Sequence, residues 1–98
     1  MASKSCRPID TLVTADKLLE VIGDAKAPLS VSELARITGF SVDTVFRQMG
    51  TQEDLRWVER IGEGYVLGMR QSTILAKKRS QIQTKIEKAQ QELAELTN

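Results

Sequence analysis

Histidine is absent from this 98-residue chain. Without it, neither a Ser-His or Cys-His nucleophile pair nor the common histidine-bearing zinc sites can be built. Cysteine occurs once, as Cys6, so an intrachain disulfide framework is impossible. A lone thiol in a small, polar, basic arm reads as incidental, and a reducing cytoplasm is the expected location. Aromatic residues make up only 4% of the chain, so any core must be mainly aliphatic. No apolar run approaches the roughly 20 residues of a membrane span. The first eight residues lack the apolar centre of a signal peptide. There is no glycine-rich phosphate loop and no clustered carboxylate pair with matching partners. Neither an enzyme nor a metal or cofactor site is therefore expected.

What remains is an ordinary soluble composition, 41% hydrophobic and 28% charged. The length suits one small domain, and a core this small favours self-association. Net charge is +1, which argues against a tail-driven, non-specific polyanion binder.

Residues 1–10 read as a flexible arm. From Thr11 to about Ala25, Leu12, Ala15, Leu18, Leu19 and Ile22 recur at helical spacing. Gly23 and Pro28 favour termination there. Ser30 with Glu33 forms a capping box, and Leu29 with Leu34 the accompanying staple. Gly39 supplies the left-handed stop of a short helix. Ser41 caps the next helix, about 42–55, with Phe40 and Val45 as a second staple. Two capped helices separated by a glycine-containing turn are the grammar of a helix-turn-helix.

Trp57, Val58 and Ile61 then read as a strand, Gly62, Glu63 and Gly64 as a turn, and Tyr65, Val66 and Leu67 as the return strand. This hairpin, about 57–67, is a wing that must pack on the helices. After Gly68 comes a long helix, about 69–96, free of Gly and Pro. Leu75, Ile82, Ala89 and Leu96 repeat every seven residues, with Ile86 and Leu93 at the alternate heptad position. Ser72 and Arg79 interrupt that seam. The helix exceeds what one small domain can cover, so a second copy of the chain is its simplest partner. The flanking charges at Lys78, Lys85 and Glu92 leave parallel and antiparallel pairing both open.

The expected fold is therefore mainly α with a small β-hairpin: a winged helix-turn-helix at 11–68, then a coiled-coil-like dimerisation helix at 69–98. Two faces of the second capped helix compete for the core. One is Val45, Gln48, Met49 and Gln52. The other is Val42, Val45, Phe46 and Met49, and composition favours it because it buries Phe46 rather than two glutamines. That choice turns Asp43, Thr44, Arg47, Gln48 and Thr51 outward. The Arg47 fork suits two guanine acceptors or a phosphate. Gln48 could read adenine if it faces out. Ser41 and Thr44 suit phosphate at a helix start. Asp43 could accept from a cytosine amine, or simply pair with Arg47 one turn away. In the wing, Arg60 could reach the backbone or minor groove, although Glu59 and Glu63 repel phosphate. Lys4, Arg7, Lys77, Lys78 and Arg79 could add positive charge.

Over 18–68 the chain resembles the N-terminal winged helix-turn-helix of IclR-type transcriptional regulators. The resemblance rests on 29–35, Thr38, Gly39, Ser41, Thr44, Val45, Arg47, Thr51, 57–60 and 64–68. It implies a helix from Ser41 in the major groove, with Ser41, Thr44, Phe46 and Arg47 near DNA. It thus places Phe46 on the DNA side, where the ring could touch thymine methyls or sugars. The chain departs from the family at Gln48 and Gln52, where leucine is usual, and at Arg56, where glycine is usual. A heptad helix stands where the effector domain would follow, so no small-molecule effector is expected. The expected function is sequence-specific binding of double-stranded DNA by a small homodimeric transcriptional regulator. The competing reading is a winged-helix module that assembles proteins and binds no DNA.

Overall fold

The structure is a computed structural model and describes residues 7–97. Lys4 and Cys6 lie outside these residues, as does most of the arm expected at 1–10. The order of elements is α1 (Asp10–Asp24), β1 (Leu29–Ser30), α2 (Val31–Thr38), α3 (Val42–Asp54), β2 (Val58–Ile61), β3 (Gly64–Leu67) and α4 (Met69–Thr97). The expected mainly helical fold is what forms, with one addition: β1 joins the hairpin. The sheet is antiparallel in the order β1-β3-β2, with Leu29 opposite Tyr65 and Ser30 opposite Gly64. The hairpin strand begins at Val58, not Trp57, and its turn is Gly62 and Glu63.

Local chemistry sets the helix ends. Ser30 Oγ accepts from the Glu33 amide at 3.2 Å, while Glu33 Oε1 accepts from the Ser30 amide at 3.1 Å. This reciprocal cap satisfies two amides that helix geometry leaves unpaired. Hydrogen bonding to the carboxylate, first from the Ser30 backbone amide and then from the Ser30 side chain, holds the Glu33 pKa below the usual glutamate range. At the other end of α2, Gly39 sits at φ +80°, and its amide reaches the Ala35 carbonyl at 2.9 Å. Glycine alone takes that left-handed turn without a Cβ clash. Thr38 tightens the turn: its hydroxyl donates to the Leu34 carbonyl and accepts from the Phe40 amide.

The core is a compact aliphatic cluster. Leu18 and Ile22 of α1 meet Leu34 of α2, Val45 and Met49 of α3, Val58 of β2 and Tyr65 of β3. Phe40 and Leu29, the residues before the two caps, pack against its edge. Ala15 is also buried, whereas Leu12, expected on the same stripe, is 57% exposed. Chain entry into α4 is tight. The Gly68 amide donates to the Trp57 carbonyl, and a Cβ at Gly68 would collide with the Arg56 carbonyl. That collision requires glycine where the hairpin turns into α4. Beyond this junction α4 is one 29-residue helix, with none of its described residues buried.

Candidate nucleic-acid interface

The rotation of α3 decides what the protein can present. Val45, Met49 and Gln52 are buried, and Gln48 is half-buried beside them. Phe46 is 65% exposed and Val42 57% exposed. The composition-favoured stripe with Phe46 in the core is therefore overturned. The capped turn at Ser41 and the crossing with α2 fix the helix rotation, and apolar content does not override them. Burial of a glutamine is tolerated because its amide is partly paired. Gln52 Nε2 donates to Gln48 Oε1 at 3.1 Å, and Gln48 Nε2 donates to the Thr11 carbonyl at 3.1 Å. The second bond ties the start of α1 to α3, and the first braces Gln48 within α3. Gln48, expected as an outward adenine reader, is thereby turned toward α1 with both amide atoms engaged. Gln52 Oε1 finds no hydrogen-bond partner among the described residues.

On the outward face lie Ser41, Asp43, Thr44, Phe46 and Arg47, all exposed. Ser41 Oγ accepts from the Thr44 amide at 3.1 Å and donates to Thr44 Oγ1 at 2.9 Å. Both hydroxyls thus serve the helix cap first. Asp43 and Arg47 form no ion pair among the described residues, so the mutual pairing considered for them is not realised. Arg47 is left with its whole guanidinium free of protein partners in the described residues.

The wing meets this face. Phe46, Arg47, Gly50 and Thr51 of α3 share one shallow concavity of about 500 Å³ with Arg60 and Tyr65 of the hairpin. Arg60 and Tyr65 are opposite one another across β2 and β3. Arg60 Nε donates to the Gly62 carbonyl at 3.2 Å, which holds the guanidinium near the wing turn. Glu53 and Asp54 line the same concavity. They are not among the residues expected near DNA, although Phe46, Gly50 and Glu53 follow the 4-then-3 spacing of one helix face. Two cations and two anions thus share this surface. A second groove of about 480 Å³ runs between α1 and α3, lined by Thr11, Leu12, Gln48, Gln52, Leu55 and Trp57 among others. Among the described residues, no helix is long and apolar enough to cross a membrane.

The geometry has solved counterparts. A protein designated an IclR transcriptional regulator, from Silicibacter sp. TM1040, superposes with a TM-score of 0.68 at 25% identity. The match covers 74% of this chain and 29% of that one. An IclR family transcriptional regulator from Brucella abortus matches with a TM-score of 0.64 at 19% identity, over 82% of this chain and 32% of its own. The chain therefore has the winged-helix fold found in these regulators, and it spans less than a third of their length. No family profile and no curated protein matches the sequence.

Proposed function

We propose that the chain is a DNA-binding transcriptional regulator in which α3 enters the major groove and the wing follows the flanking backbone. The arrangement of Phe46, Arg47 and Arg60 around one outward concavity carries this reading. A helix face and a wing that project cations together match the docking of winged helix-turn-helix proteins. The likeness to IclR regulators supports it. Arg47 is the specificity-bearing residue: it is exposed, without a protein partner in the described residues, and can fork onto guanine. Thr44 and Ser41 position phosphate, and Phe46 contacts sugars or thymine methyls. Asp43 accepts from a cytosine amine. Residues 11–68 form the DNA-binding unit, and 69–98 join two copies through Leu75, Ile82, Ile86, Ala89, Leu93 and Leu96. The exposure of this heptad seam supports the pairing, since Leu75, Ile82, Ile86 and Leu93 are each 45% exposed or more.

The test is binding to random-sequence duplex DNA across a salt series, beside Arg47→Ala. Phosphate neutralisation makes affinity fall steeply with salt. Loss of a guanine contact by Arg47 is expected to weaken binding about tenfold or more on a site selected from that DNA, and less on the random pool. Glu53 and Asp54 in the same concavity favour the competing reading, a protein-assembly module. Absence of binding at low salt would select that reading.

A further inference from the structure

We infer that two copies of α4 pair antiparallel, centred near Thr84, with the winged domains at opposite ends of the rod. This rests on the homodimer reading above and adds its orientation. The first observation is charge. Residues 69–85 hold five basic side chains and no acidic one, while 86–97 hold three acidic and one basic. A parallel pair sets the basic half of one helix beside the basic half of the other, at helix separations of about 8–10 Å, comparable to a Debye length. An antiparallel pair sets the basic half of each helix beside the acidic half of the other.

The second observation is the seam, which supports the same direction independently. In a parallel, in-register pair, equal positions face each other. Arg79 then faces the partner's Arg79, forcing two guanidinium groups into one layer. Ala89 faces the partner's Ala89, leaving that layer underfilled. Reversing one helix about Thr84 removes both faults. Arg79 then faces the partner's Ala89, and its long aliphatic stem occupies the space the small side chain leaves. Ile82 faces the partner's Ile86, and Leu75 faces the partner's Leu93, so the large apolar groups of these layers meet each other, while at each end Leu96 faces the partner's Ser72. Along the flank, Lys78 lies beside the partner's Glu92. Lys85 meets the partner's Lys85 across the two-fold axis, where both long stems can turn their charges into water. The seam is free to accept this partner, because no described residue of α4 is buried in the single chain.

The orientation is read from spin-label distances on outward positions of α4. Thr73→Cys and Ala94→Cys are made separately in a Cys6→Ser background, leaving the seam intact. An antiparallel pair separates the two labels of either variant by about 30 Å, from the helical rise per residue. Mixing the two variants then brings unlike labels within about 20 Å. Short distances within each variant alone, and long ones in the mixture, overturn the orientation while leaving the dimer standing. Sedimentation of the same samples separates the two claims, because a monomer at micromolar concentration overturns the dimer itself. A charge swap adds a second readout. Lys78→Glu is expected to weaken association about tenfold, through two lost pairs per dimer. Adding Glu92→Lys restores it, and failure to restore overturns the register.

Discussion

Gln52 is the residue whose chemistry fits its surroundings least. It is 1% exposed, and its Oε1 has no partner among the described residues. An unsatisfied buried acceptor costs about 1–3 kcal/mol. The regulators that the chain resembles usually have leucine there. Gln52→Leu removes the orphan oxygen at similar volume and leaves Gln48 Oε1 to water, since Gln48 is only half-buried. The variant is expected to be about 1 kcal/mol more stable by urea unfolding. A loss would show that the Gln48–Gln52 hydrogen bond outweighs the unpaired oxygen. Arg56 is a second such residue. It ends α3 at φ +63°, in the left-handed region where a Cβ is unfavourable. Its amide reaches the Glu53 carbonyl, and the Trp57 amide reaches the Gln52 carbonyl at 2.8 Å. That pair of bonds is a Schellman stop, whose usual residue at this position is glycine. Arg56→Gly should therefore raise stability by about 0.5–1 kcal/mol, the relief being reduced by glycine's greater freedom when unfolded. An unchanged thermal midpoint would mean that the arginine side chain compensates.

At the level of elements, caps and turns were legible in the sequence because their signals are local. Ser30 with Glu33, Gly39 and Ser41 each act within four residues, and each forms as read. The strand β1 was not legible, because two residues show no alternation and their pairing with Tyr65 and Gly64 lies about 35 residues away. The rotation of α3 was misread from composition for a related reason. Hydrophobicity ranks Phe46 above Gln52 for burial, while the helix orientation is set by packing against α1 and α2. The competing stripe through Gln48 and Gln52 leaves Phe46 outside, and the resemblance, not composition, favours it. The capping box also gives α2 a pH dependence. Because the folded Glu33 pKa is lowered, its contribution is complete above the ordinary glutamate range. It is lost as pH falls through the folded value. The urea midpoint of the protein should exceed that of Glu33→Gln at neutral pH, and the gap should close as pH falls through the lowered folded value. A gap that persists in acid would remove the carboxylate as its cause.

The whole molecule is long, with extents of 63 × 40 × 21 Å, because α4 leaves the winged domain without folding back. Its 29 residues rise about 43 Å. Two consequences separate cleanly. The winged domain owes its core to α1–α3 and the hairpin, and no buried group of that core comes from α4. In the proposed dimer, association draws its apolar surface from α4. A charge placed in the seam should therefore break the dimer and spare the domain. For Ile82→Asp, the expected result is a sedimenting species of about 11 kDa, near the chain mass of 10.9 kDa, with an unchanged near-ultraviolet spectrum. DNA binding then distinguishes one-site from two-site recognition. When two domains are linked, the second contact forms at an effective concentration set by the linkage, which raises affinity about 10²–10⁴-fold. Ile82→Asp should lose that factor on DNA carrying two half-sites and lose nothing on a single half-site. Equal losses on both would mean that the substitution damages the reading surface itself. No loss on either would mean that each winged domain works alone and that α4 serves another contact.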